Sequence, residues 1–271
     1  MNILDRIVAR KKEEIRSAKE KVSVRELQYY RHFEAPAVSL KQKLTDNKEF
    51  PVIAEFKRRS PSKGDIHPGA KTKDIIPEYA RAGVSGISVL TDNDFFAGSN
   101  EDLSTARDLT RVPIIRKEFI IDPYQVYEAK AIGASAILLI ASILTRKQAL
   151  DLATLANYLG MEILMELHDR SEMDKLNVYV DMVGVNNRNL KTFDVDLQNA
   201  IDMAASLPED MLPVAESGIH SAEDLLHLKE AGFKGFLMGE FFMKQEDPGG
   251  ACLEFKNKVL QISPHHQGEK P

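Results

Sequence analysis

The chain has one cysteine, Cys252, and no tryptophan. A lone thiol excludes an internal disulfide and a cysteine-rich metal site, and the absence of indole side chains leaves tyrosine to dominate the emission. The N-terminus lacks the long apolar core of a signal peptide. Neither sign of charge dominates: 36 Lys and Arg stand against 41 Asp and Glu, a net charge of -5 mixed along the whole length. No global nucleic-acid or membrane surface is therefore expected, and any anion site must be local. No G-x-G-x-x-G or G-x-x-x-x-G-K pattern opens a helix, so a nucleotide or redox cofactor is not indicated. The seven histidines have no ligand spacing with Cys252 or with one another. Asp92, Asn93 and Asp94 lack the glycine and terminal glutamate of a calcium loop. The expectation is a cytoplasmic monomer acting on a small molecule, with no metal, cofactor, nucleic acid or membrane.

At 271 residues, 43% hydrophobic and 28% charged, the composition is that of a soluble enzyme with a sizeable core. A repeated pattern sets the architecture. Ala82-Gly83-Val84-Ser85 before Gly86 to Leu90, Ile132-Gly133-Ala134-Ser135 before Ala136 to Ile140, and Ala231-Gly232-Phe233-Lys234 before Gly235 to Met238 each read as a helix end on glycine, a short turn and a buried strand. Gly83 to Gly133 is 50 residues and Gly133 to Gly232 is 99, near two and four units of one strand-plus-helix length. Further strands are predicted at Val112 to Lys117, Glu162 to Leu167, Asp181 to Asn186 and Leu212 to Glu216, beside one at Val52, making eight. Asp122 before Pro123, Thr145, and Ser221 with Asp224 mark helix starts between them. Eight alternating units predict an α/β fold, a (β/α)8 barrel filling residues 1–271 as one domain.

Residues 1–48 carry helical signals of their own and read as an N-terminal extension packed on the barrel. Leu4, Ile7, Val8 and Ile15 are helically spaced, and Ser23 with Glu26 offers a capping box. Arg10-Lys11-Lys12 beside Glu13-Glu14 reads as a solvated helix face with i,i+4 pairs. His265 to Pro271 reads as a frayed tail.

In such barrels the site lies at the C-terminal ends of the strands, and here those ends are polar. They carry Glu55 and Lys57, Lys117, Glu166, Asn186 with Arg188, and Glu216-Ser217-Gly218. Side chains alternate across a strand, so Ile53 with Glu55 and Lys57, Ile115 with Lys117, Leu164 with Glu166, and Val214 with Glu216 share faces. Two lysines, one arginine and three glutamates then converge on one pocket. A structural ion-pair network is the plainer reading of any one of them; five strands ending this way favour acid–base chemistry, with Lys117 and Glu166 the acid and base candidates. Gly218 and Gly239 follow the last two strands, where phosphate commonly binds, and Arg59, Ser60 and Arg188 are placed to complete an anion site. Glu240 is discordant there, since a carboxylate repels phosphate. His168 shares the parity of Glu166 but reads as a polar rim residue.

Ile53-Ala54-Glu55-Phe56-Lys57-Arg58-Arg59-Ser60-Pro61-Ser62-Lys63-Gly64 closely resembles the signature of the indole-3-glycerol phosphate synthase family. So, in order, do Ser88 to Asp92 with Phe96 to Ser99, Arg116 to Ile120, Met165 to His168, Gly184 to Leu190 and Ala215 to Ile219, and the N-terminal Ile3 to Val8 is similar too. The resemblance implies cyclisation of 1-(2-carboxyphenylamino)-1-deoxyribulose 5-phosphate with loss of carbon dioxide and water, in tryptophan biosynthesis and without a cofactor. It implies Lys117 as general acid on the ketone, Glu166 as the base removing the ring proton, and Lys57 as the carboxylate ligand that assists dehydration, with Glu55 positioning these groups. Asn186, Glu216 and Ser217 would orient the substrate and Phe119 would wall its aromatic ring. Arg59, Ser60, Arg188, Gly218 and Gly239 would hold the phosphate. Two rivals remain: a related barrel isomerase such as phosphoribosylanthranilate isomerase, against which Cys252 lies far from any strand end, and a catalytically silent phosphate-ligand sensor.

Overall fold

The computed structural model describes residues 3–187 and 197–263. Its strands are β1 (Val52–Phe56), the short hairpin β2 (Arg59–Ser60) and β3 (Gly64–Asp65), β4 (Gly86–Leu90), β5 (Ile114–Lys117), β6 (Ala136–Ile140), β7 (Glu162–Leu167), β8 (Met182–Asn186), β9 (Leu212–Glu216) and β10 (Gly235–Met238). All but the hairpin close into one parallel barrel, β1 pairing with β4 through Ile53↔Gly86 and with β10 through Ile53↔Leu237. The predicted (β/α)8 barrel is the observed fold. Two strand starts move, that of β5 from Val112 to Ile114 and that of β8 from Asp181 to Met182, with Pro113 still accepting from Ile87 N–H at 2.9 Å. The β2–β3 hairpin is an addition that the apolar pattern does not carry.

Three helices precede the barrel, α1 (Ile3–Lys21), α2 (Val24–Leu27) and α3 (Leu40–Asp46). The rest are α4 (Thr72–Ala82), α5 (Asn100–Leu109), α6 (Pro123–Ala131), α7 (Arg146–Tyr158), α8 (Leu197–Ala204), α9 (Ala222–Glu230), α10 (Glu240–Met243) and α11 (Pro248–Ile262). The capping signals act where the sequence puts them: Ser23, Asp122, Thr145 and Ser221 each close a capping box with the residue three positions on. Gly83 at φ 78° and Gly133 at φ 96° take the left-handed conformation that ends a helix and turns the chain into the next strand.

Strand parity sorts the core into two layers. Val52, Ala54 and Phe56, with Ile114, Ile163, Met165 and Phe236, pack outward beneath the helices. Ile53, Ile115, Leu138, Leu164, Val214 and Leu237 fill the barrel. Residues two positions further along these inward faces form the barrel mouth, so the pleat that buries the core also aims Glu55, Lys117, Glu166 and Glu216 at one point.

The N-terminal helices grip both ends of the barrel. At the floor, Leu40 and Leu44 of α3 are buried among Ile53, Leu212 and Val214. Gly86 makes room there, since a Cβ at that position would lie 2.4 Å from Leu40 Cδ1. Glu162 of β7 caps α3, accepting from Leu40 N–H at 2.6 Å and Lys41 N–H at 3.0 Å and from the Ser39 hydroxyl. At the mouth, α1 is anchored by Lys11, and here the solvated-face expectation is corrected. Lys11 is buried, with Nζ 2.9 Å from Asp92, 3.0 Å from Glu118 and 2.6 Å from Glu14. Burial alone would lower its pKa, but the carboxylates of Glu118 and Asp92 outweigh it and hold the ammonium above its ordinary range. Arg10 follows the same logic at the surface, pairing with Asp94 at 2.6 Å. Asp92 and Asp94 thus serve α1 as ion-pair partners.

Lys11→Met strands two buried carboxylates and is expected to cost about 3–5 kcal/mol of stability, read by denaturant unfolding. Adding Asp92→Asn and Glu118→Gln should recover part of the loss, because the three groups act as one network.

Candidate active site

Each polar group at the mouth has a partner that explains how its charge is tolerated there. Glu55 of β1 is buried; Lys57 Nζ lies 2.7 Å from its Oε1, and the Ser88 hydroxyl of β4 is 3.4 Å from its Oε2. Burial would raise Glu55, yet Lys57 and Lys117 more than offset it and the carboxyl stays below its ordinary range. Lys117, ending β5, bridges two strands opposite, donating to Glu216 Oε2 at 2.7 Å and Glu166 Oε2 at 3.3 Å. Its desolvation is outweighed by Glu216, Glu166 and Glu55, which hold it protonated well above the ordinary lysine value.

The two carboxylates facing Lys117 are driven apart. Burial acts on both, but Glu166 Oε1 also accepts from Asn186 Nδ2 at 2.9 Å and lies 3.0 Å from His168 Nε2, so with Lys117 it is held well below the carboxylate range. Glu216 has the shorter lysine contact and no other such support, its Oε1 lacking a hydrogen-bond partner among the described residues. Burial and the neighbouring Glu166 push it up to about 7. Two carboxylates with separated affinities beside one ammonium is an arrangement suited to moving protons near neutral pH. Gly184 on β8 is required by it, because a Cβ there would meet Glu216 Oε1 at 2.0 Å.

Around this cluster the pocket has an apolar end and a backbone-rich end. Phe119, Phe96, Leu138 and Ile140 line the first, with Ile3, Leu4 and Ile7 of α1 above them. The rings of Phe96 and Phe119 are 5.9 Å apart, and Phe119 N–H donates to Glu118 at 2.8 Å, so the Lys11 anchor also fixes the aromatic wall. At the other end lie Ser60, Ser62, Ser217, Gly218, Gly239 and Glu240. Ser217 at φ 66° and Gly218 at φ 76° are successive left-handed residues, a conformation costly for serine and held by Asn187 Nδ2 donating to the Ser217 carbonyl at 2.8 Å. Gly239 packs against Glu55, whose Oε1 a Cβ would approach to 2.5 Å.

Of the residues the sequence nominates, Glu55, Lys57, Ser60, Lys117, Phe119, Glu166, Asn186, Glu216, Ser217, Gly218 and Gly239 all line this one pocket. Arg59 is not among them: its guanidinium pairs with Asp65 across the hairpin at 2.6 Å and is half exposed. The hairpin breaks the simple alternation that would carry Arg59 inward with Lys57. Arg188, like the tail from His265, lies outside the described residues. Glu240 lines the backbone-rich end with Lys63 Nζ 3.9 Å away, which moderates its charge. His168, read as a rim residue, is mostly buried in the pocket and touches Glu166; the shared parity and its place in the Met165 to His168 segment were its signals. Asn187, Phe96 and the α1 residues had none at the level of strand ends.

The family model described as "Indole-3-glycerol phosphate synthase" matches residues 4–255. The chain belongs to the indole-3-glycerol phosphate synthase family. A relative of that name from Bacteroides thetaiotaomicron is 46% identical over 258 residues, covering 95% of this chain and 99% of the relative. Another of the same name, from Verminephrobacter eiseniae, is 42% identical, covering 92% of this chain and 96% of its own length. Solved structures add the fold alone. The tryptophan synthase alpha subunit from Legionella pneumophila is 13% identical with a TM-score of 0.59, covering 82% of this chain and 95% of its own. Thiamine phosphate pyrophosphorylase from Pyrococcus furiosus is 15% identical with a TM-score of 0.59, covering 83% and 99%. Membership of this family sets aside the isomerase rival.

Proposed function

We propose that the protein is a carboxy-lyase that closes the indole ring of indole-3-glycerol phosphate from 1-(2-carboxyphenylamino)-1-deoxyribulose 5-phosphate, in tryptophan biosynthesis. The observation that carries this reading is Lys117 held between Glu166 and Glu216, with an aromatic wall on one side and glycine-rich backbone on the other. The aromatic ring lies against Phe119 and the phosphate against Ser60, Ser217, Gly218 and Gly239, which brings the ketone to the charged cluster. Arg59 reaches the phosphate only by exchanging Asp65 for it, and Arg188 is a further phosphate ligand.

Lys117 protonates the ketone oxygen as the ring carbon bearing the carboxylate attacks. That carboxylate, paired with Lys57, leaves as carbon dioxide and restores aromaticity. The new hydroxyl then departs as water with a proton from Lys57, while Glu166 takes a proton from the adjacent carbon of the closed ring. Decarboxylation of a carboxylate consumes one proton overall, which Glu216, titrating near neutrality, can supply back to Lys117. Glu55 holds Lys57 in place and Asn186 holds Glu166. Positioning and proton transfer account for every step, and one chain supplies all the residues; the site of action is the cytoplasm.

The test follows indole emission, which has no tryptophan background here. Purified protein with the substrate should show rising emission and one carbon dioxide per indole formed, unchanged by EDTA. A flat trace with the ligand still bound would establish the silent sensor instead. Gly218→Val should mainly raise KM, since valine is strained at φ 76° and phosphate contacts persist from ground state to transition state. A lowered kcat at unchanged KM would count against an anchoring role for that turn.

A further inference from the structure

His168 is a titratable side chain of the pocket that the chemistry above leaves unused. It stands one pleat beyond Glu166 on the same face, mostly buried, with Nε2 3.0 Å from Glu166 Oε1. Its own backbone N–H donates to Glu172 Oε2 at 2.7 Å, so the turn at Arg170–Lys175 fixes where the ring begins. Among the described residues neither ring nitrogen completes an aligned hydrogen bond. The contact with Glu166 is therefore one of proximity and charge, open to a proton in either direction.

Glu166 needs such a neighbour. Lys117 crowds one of its oxygens and Asn186 and His168 the other. A carboxylate so surrounded is a weak base, and once protonated it gives the proton up readily. Asn186 has no charge to change and Lys117 is held protonated. Histidine changes charge in the range where the reaction runs. With Glu166 read as the base, we propose that His168 acts through it as a positioning and proton-exit residue, orienting the carboxylate and taking at Nε2 the proton that Glu166 removes from the substrate. The substrate C–H bond breaks and its electron pair enters the new double bond of the indole. The proton passes from the Glu166 carboxyl to Nε2, and the imidazolium returns one proton to water and becomes neutral again.

The sign of the pH dependence follows from what faces the ring. Burial alone would lower the His168 pKa, but Glu166 of β7, Glu172 of the following turn and Glu216 of β9 outweigh it and raise it above 6.5. Lys117 of β5 opposes them through the carboxylates it shares, and Glu55 and Lys57 of β1 line the same pocket. Below that pKa the imidazolium holds Glu166 ionised and has no place for a second proton, so kcat falls as pH falls. Glu216 titrates in the same window and keeps its neighbours Glu166 and Lys117 in both His168 variants, so the comparison with the parent is made on those two.

The experiment is the pH profile of kcat for the parent, His168→Gln and His168→Ala, with and without added imidazole, alongside Glu166→Gln and a thermal melt of each. His168→Gln should lower kcat about tenfold, less than the ~10²–10⁴-fold of a group that takes the proton directly, with KM within about twofold. The midpoint of its acidic limb should move to lower pH. Imidazole should restore much of the activity of His168→Ala, a rescue that a merely structural role would not give. An unchanged kcat and limb in a folded His168→Gln, or no rescue of His168→Ala, would overturn the proposal. Glu166→Gln separates the layers: inactive beside an unaffected His168→Gln, it overturns the role of His168 alone, and fully active it overturns the base assignment and this role together.

Discussion

Lys117→Met is expected to lower kcat by about 10²–10⁴-fold, the usual worth of a positioned proton donor, with phosphate affinity nearly unchanged. The ammonium sits 2.7 Å from Glu216 and 3.3 Å from Glu166. Methionine keeps the length of the side chain and removes the proton. The variant also leaves two buried carboxylates without their shared cation, which on the simplest account costs stability. Glu216 limits that cost: pushed up to about 7 already, it takes up a proton at neutral pH once Lys117 is gone. A purely structural ion pair predicts the opposite ranking, a large fall in melting temperature with near-normal kcat.

Glu166→Gln should produce a loss of the same order, about 10²–10⁴-fold in kcat, and a smaller change in stability. Glutamine keeps an acceptor for Asn186, and Lys117 retains its shorter contact with Glu216. What disappears is the capacity to take a proton. With the proposed roles, in which Lys117 and Glu166 act around one substrate, the double variant should lose less than the product of the two single losses.

The barrel was legible because its signal is periodic. Glycine-ended helices followed by short turns recur at one spacing, and period-two alternation within each strand carries from the apolar core out to the polar mouth. That single regularity puts Glu55, Lys117, Glu166 and Glu216 on inward faces. The same rule failed for Arg59, because β2 and β3 redirect the chain just past Lys57 and give the guanidinium a local partner in Asp65.

Lys11 was unreadable for a different reason. Its neighbours in sequence are charged and helical, which describes a solvated face, whereas its partners Asp92 and Glu118 come from the loops after β4 and β5. A buried ion pair between distant segments leaves no local pattern. The same holds for the pocket's roof, since Ile3, Leu4 and Ile7 show the spacing of a packed helix without showing what they pack against. His168 lay between these cases: parity pointed it inward, and its contact with Glu166 depends on the ring orientation, which parity does not set.

The roles proposed for Lys117 and Glu166 put acid and base across one barrel mouth. Their most direct test is indole emission from the parent, Lys117→Met and Glu166→Gln, each verified as folded and supplied with the same carboxyphenylamino-deoxyribulose phosphate. The parent should show a steady rise and both variants rates lower by about 10²–10⁴-fold. A parent that binds the substrate without any rise, or variants that match the parent's rate, would contradict those roles.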